Sequence, residues 1–311
     1  MSFEVTQAGV MSLLQDAGRY GQHGLGLTTG GPADAHAYVL CQRLLNNDHN
    51  ATAVEISFGG LELLALNDAQ IAVTGANTDL FIDEQPADLW RTHALKKGQR
   101  LRFGYATRGC RSYLGVRGGF TVTPQFNSTA TVLREGIGGL NGGKLQVGDQ
   151  LPFAPCRITQ DVFIAPNDQP NYPEHVDLRL ISGYQFELFT AHERARFFSS
   201  IYTITDRADR MGYCLQGAPI ACTINTLLSE GICLGAVQIP ADGQPIVLLN
   251  DRQTIGGYPK IGAVLSLDVA KLCQLRPGNT VSFTAISPEQ AHNALHLANA
   301  HLQGIAIKEL P

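Results

Sequence analysis

The sequence lacks the features that define several large protein classes. It has no block of Lys and Arg, and the formal net charge is −4 over 311 residues. Nucleic-acid binding needs clustered positive charge, so a nucleic-acid platform is not expected. No run of about 18 apolar residues occurs, and we expect no membrane span. The first residues carry neither a basic segment nor an apolar stretch, so we expect no signal peptide.

Cysteine and histidine are present without the spacings typical of metal or redox sites. The seven Cys are scattered and form no Cys-x-x-Cys pair. We expect reduced thiols and a cytoplasmic protein. His292 and His296 lie four residues apart, but no His-Glu-x-x-His motif accompanies them. They indicate a surface helix, and no metal site is expected.

Glycine and short alternating segments dominate what is present. The 33 Gly residues exceed the usual share and predict many tight turns. Segments that alternate apolar and polar residues between Gly, Asn or Asp predict strands. They occupy residues 53–58, 61–64, 70–73, 79–82 and 100–103. Short strands at this spacing are typical of a barrel or a sandwich.

Three segments carry helix-start signals. Asp34 is a candidate N-cap for a helix reaching Asn46. Thr190 and Glu193 have the spacing of a capping box. Ser287, followed by proline and by glutamine at the third helical position, predicts a helix to about residue 302.

A faint internal repeat bears on the number of domains. Residues 96–103 resemble residues 276–283, which favours two related β-rich units. The alternative is a common turn followed by a strand, because residues 146–153 show the same pattern. Prolines cluster between residues 155 and 173, where regular structure is not expected. We therefore predict an N-terminal domain at 1–160 and a C-terminal domain at 161–311.

Three polar segments are candidates for chemistry. Residues 15–34 combine ionisable groups with six glycines before a helix start, which favours close approach of a ligand or an anion. Residues 209–217 place Arg210 beside an aspartate, either as a surface pair or as a carboxylate or phosphate clamp. Residues 246–249 form an apolar strand that ends in a dense polar cluster. For the first and third segments the alternative is a solvated polar loop.

A glycine-rich loop supplies a weaker signal. Residues 138–144 have the glycine and lysine spacing of a phosphate-binding loop, but leucine stands where a Ser or Thr is required. The backbone N–H groups of residues 136–139 remain a candidate anion site. A hairpin connection is the alternative interpretation.

Six ordered motifs together resemble a known family. They are Gln15-Asp16-x-Gly18-Arg19-x-Gly21, Gly30-Gly31-Pro32-x-Asp34, Asn46-Asn47-Asp48, Val116-Arg117-Gly118-Gly119, Arg210-Met211-Gly212-Tyr213, and Gly243-Gln244-Pro245-Ile246-Val247 through Gly256-Gly257-Tyr258-Pro259. The chain resembles the family of 5-oxoprolinase C subunits, also known as the allophanate hydrolase subunit 2-like, KipI-antagonist or biotin-dependent carboxyltransferase family. The resemblance runs over nearly the whole chain.

The resemblance implies a mainly β fold with a few helices, arranged as two cyclophilin-like β-barrel units. It also implies a heteromeric complex with a KipI-like B subunit and an A subunit. This complex opens 5-oxo-L-proline to L-glutamate with ATP as co-substrate, together with Mg²⁺. This chain would then be part of a hydrolase acting on a cyclic amide.

Two other functions remain open. One is the carboxyltransferase-type subunit of a biotin-dependent urea or amide carboxylase. The chain has no Ala/Val-Met-Lys-Met stretch, so covalent biotin is not expected on it. The other is a non-catalytic regulatory antagonist of a KipI-like partner.

Amide activation suggests roles for the polar side chains in the matching motifs. Positive groups would stabilise a moving phosphoryl group, donors would bind the carbonyl, and a carboxylate would act as base or hold Mg²⁺. The predicted catalytic residues are Asp16, Arg19, Arg210, Asp251 and Lys260. The predicted substrate-binding residues are His23, Asp34, Gln238, Asn250, Gln253, Thr254 and Tyr258. We expect the neighbourhoods of Arg19, of Arg210 and of residues 250–260 to converge on one cleft that binds a small amide and an anion.

Overall fold

A computed structural model of the chain describes residues 1–224 and 227–310. Two units separate in it. The N-terminal unit comprises Met1–Tyr20, Gly30–Tyr172 and the segment that begins at Gly304, and the C-terminal unit comprises Gly21–Thr29 and Pro173–Gln303. The change between units after Tyr172 falls in the proline-rich stretch. The expectation of no regular structure between residues 155 and 173 is wrong for Val162–Ile164, which forms a strand between the prolines. The domain limits 1–160 and 161–311 themselves stay a prediction.

The N-terminal unit contains two antiparallel sheets and one helix. Its strands are β1 (Ser2–Ala8), β2 (Met11–Gln15), β3 (Ala53–Ser57), β4 (Leu61–Ala65), β5 (Ala69–Asn77), β6 (Leu80–Ile82), β7 (Gln85–Ala87), β8 (Thr92–Leu95), β9 (Arg100–Phe103), β10 (Arg108–Val116), β11 (Gln150–Pro152) and β12 (Val162–Ile164). Its helix is α1 (Ala35–Leu44). One sheet has the order β11-β1-β4-β9-β6-β7 and the other β2-β3-β10-β5-β8.

The inward faces of these two sheets form one apolar core. Strand β4 shows the cause, because Leu61, Leu63 and Ala65 are buried while the residues between them are half-buried. Phe3 of the first sheet and Val73 of the second belong to the same core cluster. Complete burial of such a side chain contributes about 1.5–3 kcal/mol. The alternating pattern therefore fixes which face of each strand points inward.

Helix α1 begins where the sequence predicts it. The Asp34 Oδ1 atom accepts a hydrogen bond from the Ala37 N–H at 3.1 Å. The helix contacts β5 and β10. A Cβ atom at Gly115 of β10 would lie 2.6 Å from Leu45 Cδ1 and 2.9 Å from Cys41 Sγ. Glycine at this position therefore lets the helix approach the sheet closely.

The C-terminal unit is built on a closed barrel. Its strands are β13 (His175–Ser182), β14 (Tyr202–Ala208), β15 (Gly212–Gln216), β16 (Glu230–Gly231), β17 (Ala236–Gln238), β18 (Ile246–Leu248), β19 (Ile255–Gly256), β20 (Lys260–Val264) and β21 (Thr280–Ile286). Its helices are α2 (Ala191–Ser199), α3 (Ser266–Leu272) and α4 (Pro288–Gly304). The barrel order is β13-β20-β17-β18-β15-β14-β21, closed by the parallel pair β13 and β21. Strands β16 and β19 form a separate two-stranded ladder.

The last strand, β22 (Ile307–Glu309), belongs to the N-terminal unit. It pairs with β12 in antiparallel register, and Ile164 lies opposite Ile307. No helix among the described residues is long and apolar enough to cross a membrane.

The expected mainly β fold with a few helices and barrel architecture is confirmed. The N-cap bond at Thr190 and a full capping box at Ser287 are also present. Thr190 Oγ1 accepts the Glu193 N–H at 3.3 Å, and Ser287 and Gln290 exchange two hydrogen bonds. Helix α3 was not predicted, because its N-cap residue Leu265 has no side-chain acceptor to signal a helix start.

The repeated pattern at residues 96–99, 146–149 and 276–279 is one kind of turn. In each turn the first N–H donates to the side chain of the fourth residue, and the fourth N–H donates to the first carbonyl. The third residue is glycine with φ of 89° or 90°. The pattern occurs twice in the N-terminal unit and once in the C-terminal unit. It therefore specifies a turn, as the alternative interpretation held.

Candidate functional site

In the N-terminal unit, Asp16 follows β2 and is buried. Its Oδ1 atom accepts hydrogen bonds from Ser128 Oγ at 2.6 Å and from the Gly18 N–H at 2.9 Å. Its Oδ2 atom accepts the Thr129 N–H at 2.6 Å. The carboxylate therefore anchors the segment 128–129 to the end of β2. Its predicted catalytic role stays a prediction.

Arg19 holds the same segment. Its side chain is fully buried. The Nε atom donates to the Gln125 carbonyl and Nη2 donates to the Ala130 carbonyl, each at 3.0 Å. The guanidinium thus binds backbone oxygens of this chain, and its predicted role toward a phosphoryl group stays a prediction.

The glycine-rich loop uses its N–H groups within the unit. Gly138 donates to Gln125 Oε1 at 3.0 Å, and Gly139 donates to the Thr129 carbonyl at 2.8 Å. The Ile137 N–H donates to the Val132 carbonyl. An anion site needs such groups to point at a ligand. These contacts favour the hairpin interpretation of residues 136–139.

Asp34 belongs to a buried network in the N-terminal unit. Its Oδ2 atom accepts the Tyr172 hydroxyl at 3.1 Å, and its N–H donates to the Tyr113 hydroxyl at 2.8 Å. Tyr113 in turn donates to Glu55 Oε2 at 2.7 Å. Burial, reinforced by the nearby carboxylates, raises the pKa of Tyr113 well above its usual value, so the hydroxyl stays a donor. Asp34 is thus an N-cap and a network member, and its substrate-binding role stays a prediction.

In the C-terminal unit, Arg210 and Asp251 form a buried ion pair. Arg210 Nε lies 2.9 Å from Asp251 Oδ2, and Nη2 lies 2.8 Å from Oδ1. The two side chains are 3% and 5% exposed. This bidentate geometry is among the strongest hydrogen-bonded arrangements in proteins. It joins the start of β15 to the polar segment that follows β18.

The neighbouring residues of that segment are also engaged. Arg252 donates to the carbonyls of Ile232 and Leu249 at 3.1 and 3.2 Å, and burial lowers its pKa. The Asn250 carbonyl accepts the Thr28 hydroxyl at 3.0 Å.

The other predicted residues of this unit lie nearer to its surface. His23 Nε2 lies 3.0 Å from Thr29 Oγ1 and is exposed. Thr254 is half-buried, and its carbonyl accepts the Ile232 N–H. Tyr258 is exposed.

Lys260 lies in a different polar cluster. Its Nζ atom contacts Glu230 Oε1, and the Gln185 amide donates to the same oxygen. The Tyr184 hydroxyl donates to Glu230 Oε2 at 2.9 Å. The hydrogen bond from Lys260 lowers the pKa of Glu230, and the hydrogen bond to Glu230 raises the pKa of Tyr184. Three donors from two parts of the unit therefore meet on one carboxylate.

This cluster borders a cavity of about 340 Å³ in the C-terminal unit. Its walls are partly apolar, with Ile181, Ala236 and Ala263, and partly polar, with Tyr184, Gln185, Cys233 and Lys260. A volume in this range with few polar groups is typical of small-molecule sites. We take this cavity as the candidate functional site.

Two predicted amide side chains lie beside this cluster. Gln238 pairs with Lys260 across β17 and β20, and Glu230 pairs with Gly256 across β16 and β19. A Cβ atom at Gly256 would lie 3.1 Å from Gln238 Nε2 and 3.6 Å from Gln253 Nε2. The structure thus brings Lys260, Gln238 and Gln253 into one neighbourhood, whereas Arg210 and Asp251 bind each other.

Sequence reasoning missed Tyr184, Gln185 and Glu230. Tyr184 and Gln185 follow β13 in a turn, and no motif marks them. Glu230 lies in a two-residue strand that is too short to produce an alternating pattern. The available signal was that Glu230 stands next to Gly231, and such a pair is common in any β protein.

A family model, described as "Carboxyltransferase domain, subdomain A and B", matches residues 25–285. The 5-oxoprolinase C subunit of Escherichia coli is 36% identical over 294 residues, covering 94% of this chain and 93% of that protein. The chain belongs to the family of 5-oxoprolinase C subunits. The wider carboxyltransferase domain family includes it as well.

More distant relatives are larger proteins. A putative urea carboxylase of Emericella nidulans is 29% identical over 301 residues, which cover 92% of this chain and 24% of that protein. The crystal structure of the K. lactis urea amidolyase matches 98% of this chain with a TM-score of 0.92 at 24% identity. The match spans 20% of that chain, and it supports the fold assigned to this family member.

Proposed function

We propose that this chain is the C subunit of an ATP-dependent 5-oxoprolinase that opens 5-oxo-L-proline to L-glutamate together with a KipI-like B subunit and an A subunit. The observation that supports it is the 36% identity to a 5-oxoprolinase C subunit over nearly the full length of both chains. The enzyme acts as a hydrolase on a cyclic amide, and it is active only as the assembled complex.

The proposed reaction needs activation of the lactam. The lactam oxygen attacks the γ-phosphorus of ATP, and ADP leaves. Water then adds to the ring carbon, and the ring C–N bond breaks as the nitrogen takes up a proton, which leaves an acyl phosphate. A second water attacks this acyl carbon, and phosphate departs with the original oxygen to give the glutamate carboxylate. Negative charge develops on the transferring phosphoryl group and on the oxygens at the ring carbon. Preorganised donors and cations would stabilise both.

The cavity of the C-terminal unit offers suitable groups for the substrate. Lys260 supplies a positive charge at its wall, and the Gln185 amide supplies donors beside it. Gln238 is not a lining residue of the cavity, but it lies across from Lys260 and is buried, and its Nε2 atom has no hydrogen-bond partner among the described residues. A buried amide without a partner is costly, and a ligand carbonyl would satisfy it.

We place ATP in the assembled complex without assigning its site to this chain. Among residues 1–224 and 227–310, no three His, Cys, Asp or Glu side chains gather as metal ligands. The carboxylates of Asp16, Asp34 and Asp251 each accept hydrogen bonds from protein groups. We assign Mg²⁺, like ATP, to the assembled complex.

Carboxyl transfer is the second candidate function. The description of the matching family model as a carboxyltransferase domain favours it. In this case carboxybiotin on another protein would deliver its carboxyl group to a urea or amide nitrogen, which loses a proton to a base. The same cavity would bind the amide.

The test is reconstitution with candidate B and A subunits. We expect ADP release that depends on 5-oxo-L-proline, with one glutamate formed per ADP. Complexes of the B and A subunits alone should show no such coupling. Biotin-dependent carboxylation of urea without glutamate formation would favour the second function. A stable complex without either activity would overturn both and favour the regulatory antagonist.

Lys260→Met in the reconstituted complex locates the site. Lys97→Met is the matched control, because Lys97 is exposed in the N-terminal unit. We expect the control to retain full activity. Full activity of Lys260→Met would place the chemistry outside this cavity.

A further inference from the structure

The donors around Glu230 have the arrangement of a carboxylate-binding site. Lys260 Nζ and Gln185 Nε2 engage one carboxylate oxygen, and the Tyr184 hydroxyl engages the other. One cation and two neutral donors thus bind both oxygens of a planar group. This arrangement matches a carboxylate of any origin, because the donors contact only the two oxygens.

Two of the donors are fixed by the barrel. Lys260 is the first residue of β20, a barrel strand. Its backbone N–H donates to Gln185 Oε1 at 2.7 Å. Because this bond occupies the amide oxygen, the amide nitrogen of Gln185 turns toward Glu230. The barrel and the Lys260 backbone therefore orient these two donors, and the Glu230 carboxylate is not needed to do so.

Glu230 is held less firmly than Lys260 and Gln185. Glu230 lies on β16, which has two residues and pairs with the two-residue β19. One backbone hydrogen bond flanks this ladder on each side, from Leu227 to Gly257 and from Ile232 to Thr254. The Glu230 side chain is 29% exposed, and Leu228 nearby is 93% exposed. A Cβ atom at Gly231 would meet nothing within 4 Å. A short, partly exposed ladder outside the barrel opens at a lower free-energy cost than the barrel strands do.

We propose that Tyr184, Gln185 and Lys260 form a binding site for the carboxylate of a small ligand, and that Glu230 occupies this site until such a ligand displaces it. The ligand's apolar body would lie in the adjoining cavity against Ile181 and Ala263. The inference deepens the proposed function, since 5-oxo-L-proline carries a carboxylate. The site itself is defined by the donors and does not depend on the lactam.

Calorimetric titration of the purified chain with cyclopentanecarboxylate tests the site directly. This probe has a carboxylate on a five-membered ring and no amide, so its binding is independent of 5-oxoprolinase activity. We expect Glu230→Ala to bind it at least tenfold more tightly than the unaltered chain, because the competing carboxylate is removed. Lys260→Met in the Glu230→Ala background should lose that gain.

Glu187→Ala is the matched control. Glu187 lies in the same unit, pairs with Arg194 and is 80% exposed. Its removal should leave the affinity unchanged. Glu230→Gln is a second variant that keeps the size of the side chain, and it should also bind more tightly if Glu230→Ala does not fold. Equal affinity of the unaltered chain and of folded Glu230 variants would overturn the proposal, as would retention of the gain without Lys260.

A second pair of probes separates this proposal from the proposed function. 5-Oxo-L-proline should show the same gain in the Glu230 variants, and 2-pyrrolidinone, which lacks the carboxylate, should show none. A gain with cyclopentanecarboxylate but not with 5-oxo-L-proline would support the carboxylate site and contradict the substrate. An equal gain with 2-pyrrolidinone would show that Glu230 blocks the cavity by bulk, and it would overturn the carboxylate assignment.

Discussion

The C-terminal unit contains two ion pairs that look alike in composition and differ in surroundings. Arg210 and Asp251 are almost completely buried and satisfy each other through two parallel hydrogen bonds. Lys260 and Glu230 are 11% and 29% exposed and lie beside a cavity. The first pair joins two segments of the barrel, and the second can exchange one partner for a ligand. Solvent exposure of the side chains, more than residue type, therefore distinguishes the structural ion pair from the ion pair at the candidate site.

The comparison changes the expected use of the polar segment 250–260. Its first residues, including Asp251 and Arg252, point into buried contacts. Its last residue, Lys260, reaches the cavity. The start of this polar stretch is therefore structural, and its end is accessible from the cavity. Four predictions test whether buried and accessible polar residues of this unit differ in this way.

The largest expected effect is on the buried pair. Asp251→Ala leaves the Arg210 guanidinium buried without its carboxylate, which costs about 3–5 kcal/mol in the free energy of unfolding. Urea unfolding of the purified chain measures it. The double variant Arg210→Met, Asp251→Leu should recover most of the loss, because two apolar groups need no partner. A single variant as stable as the unaltered chain would contradict the assignment of this pair to the scaffold.

Lys260→Met should lower activity strongly and stability only slightly, unlike Asp251→Ala, whose main effect is on stability. In the reconstituted complex we expect activity to fall by about 100-fold, because the substrate carboxylate loses its cationic hydrogen-bond partner. Stability should change by no more than about 1 kcal/mol, because Glu230 remains partly solvated. Steady-state rates and urea unfolding of the same preparation check both values. A large loss of stability with little loss of rate would make Lys260 a scaffold residue like Arg210.

Gln238→Met should stabilise the chain and weaken its function. The side chain is 1% exposed, and its Nε2 atom has no hydrogen-bond partner within the described ranges. An apolar group of similar size removes that unsatisfied donor, so the free energy of unfolding should rise by about 1 kcal/mol. Activity of the complex should fall about tenfold, which corresponds to one lost neutral hydrogen bond. Lower stability would indicate that the amide has a structural partner.

The smallest effect is a dependence on pH. The hydrogen bond from Lys260 lowers the pKa of Glu230, so its stabilising contribution is complete above the ordinary glutamate pKa of about 4.3. The contribution is lost as the pH falls through the lower folded-state pKa. The stability difference between the unaltered chain and Glu230→Gln should therefore shrink between pH 6 and pH 3. It should stay below about 1 kcal/mol throughout, because the pair is partly exposed.

The sequence predicts local structure well, since its signals are local. Asp34 caps α1, Ser287 and Gln290 form a capping box, and the turn glycines such as Gly98 have the positive φ that their pattern requires. Each of these depends on residues within four positions of one another. The alternation of β4 likewise predicts its buried face.

The site depends on distant pairs, which a single sequence does not specify. Asp251 pairs with a residue 41 positions away, and Gln185 meets the Lys260 N–H across 75 positions. Nothing local distinguishes Asp251, which is buried, from Lys260, which borders the cavity. Glu230 carries no local pattern, and its role appears only when the barrel brings Tyr184, Gln185 and Lys260 around it.

The chain's two units exchange short segments, and this constrains the order in which they can be completed during synthesis. Strand β12 pairs with β22, and β22 is translated only after every strand of the barrel. Residues 21–29 belong to the barrel's unit, yet they emerge from the ribosome long before it. Strand β12 therefore lacks its β22 partner until every barrel strand has been translated, so the N-terminal unit cannot be completed before them.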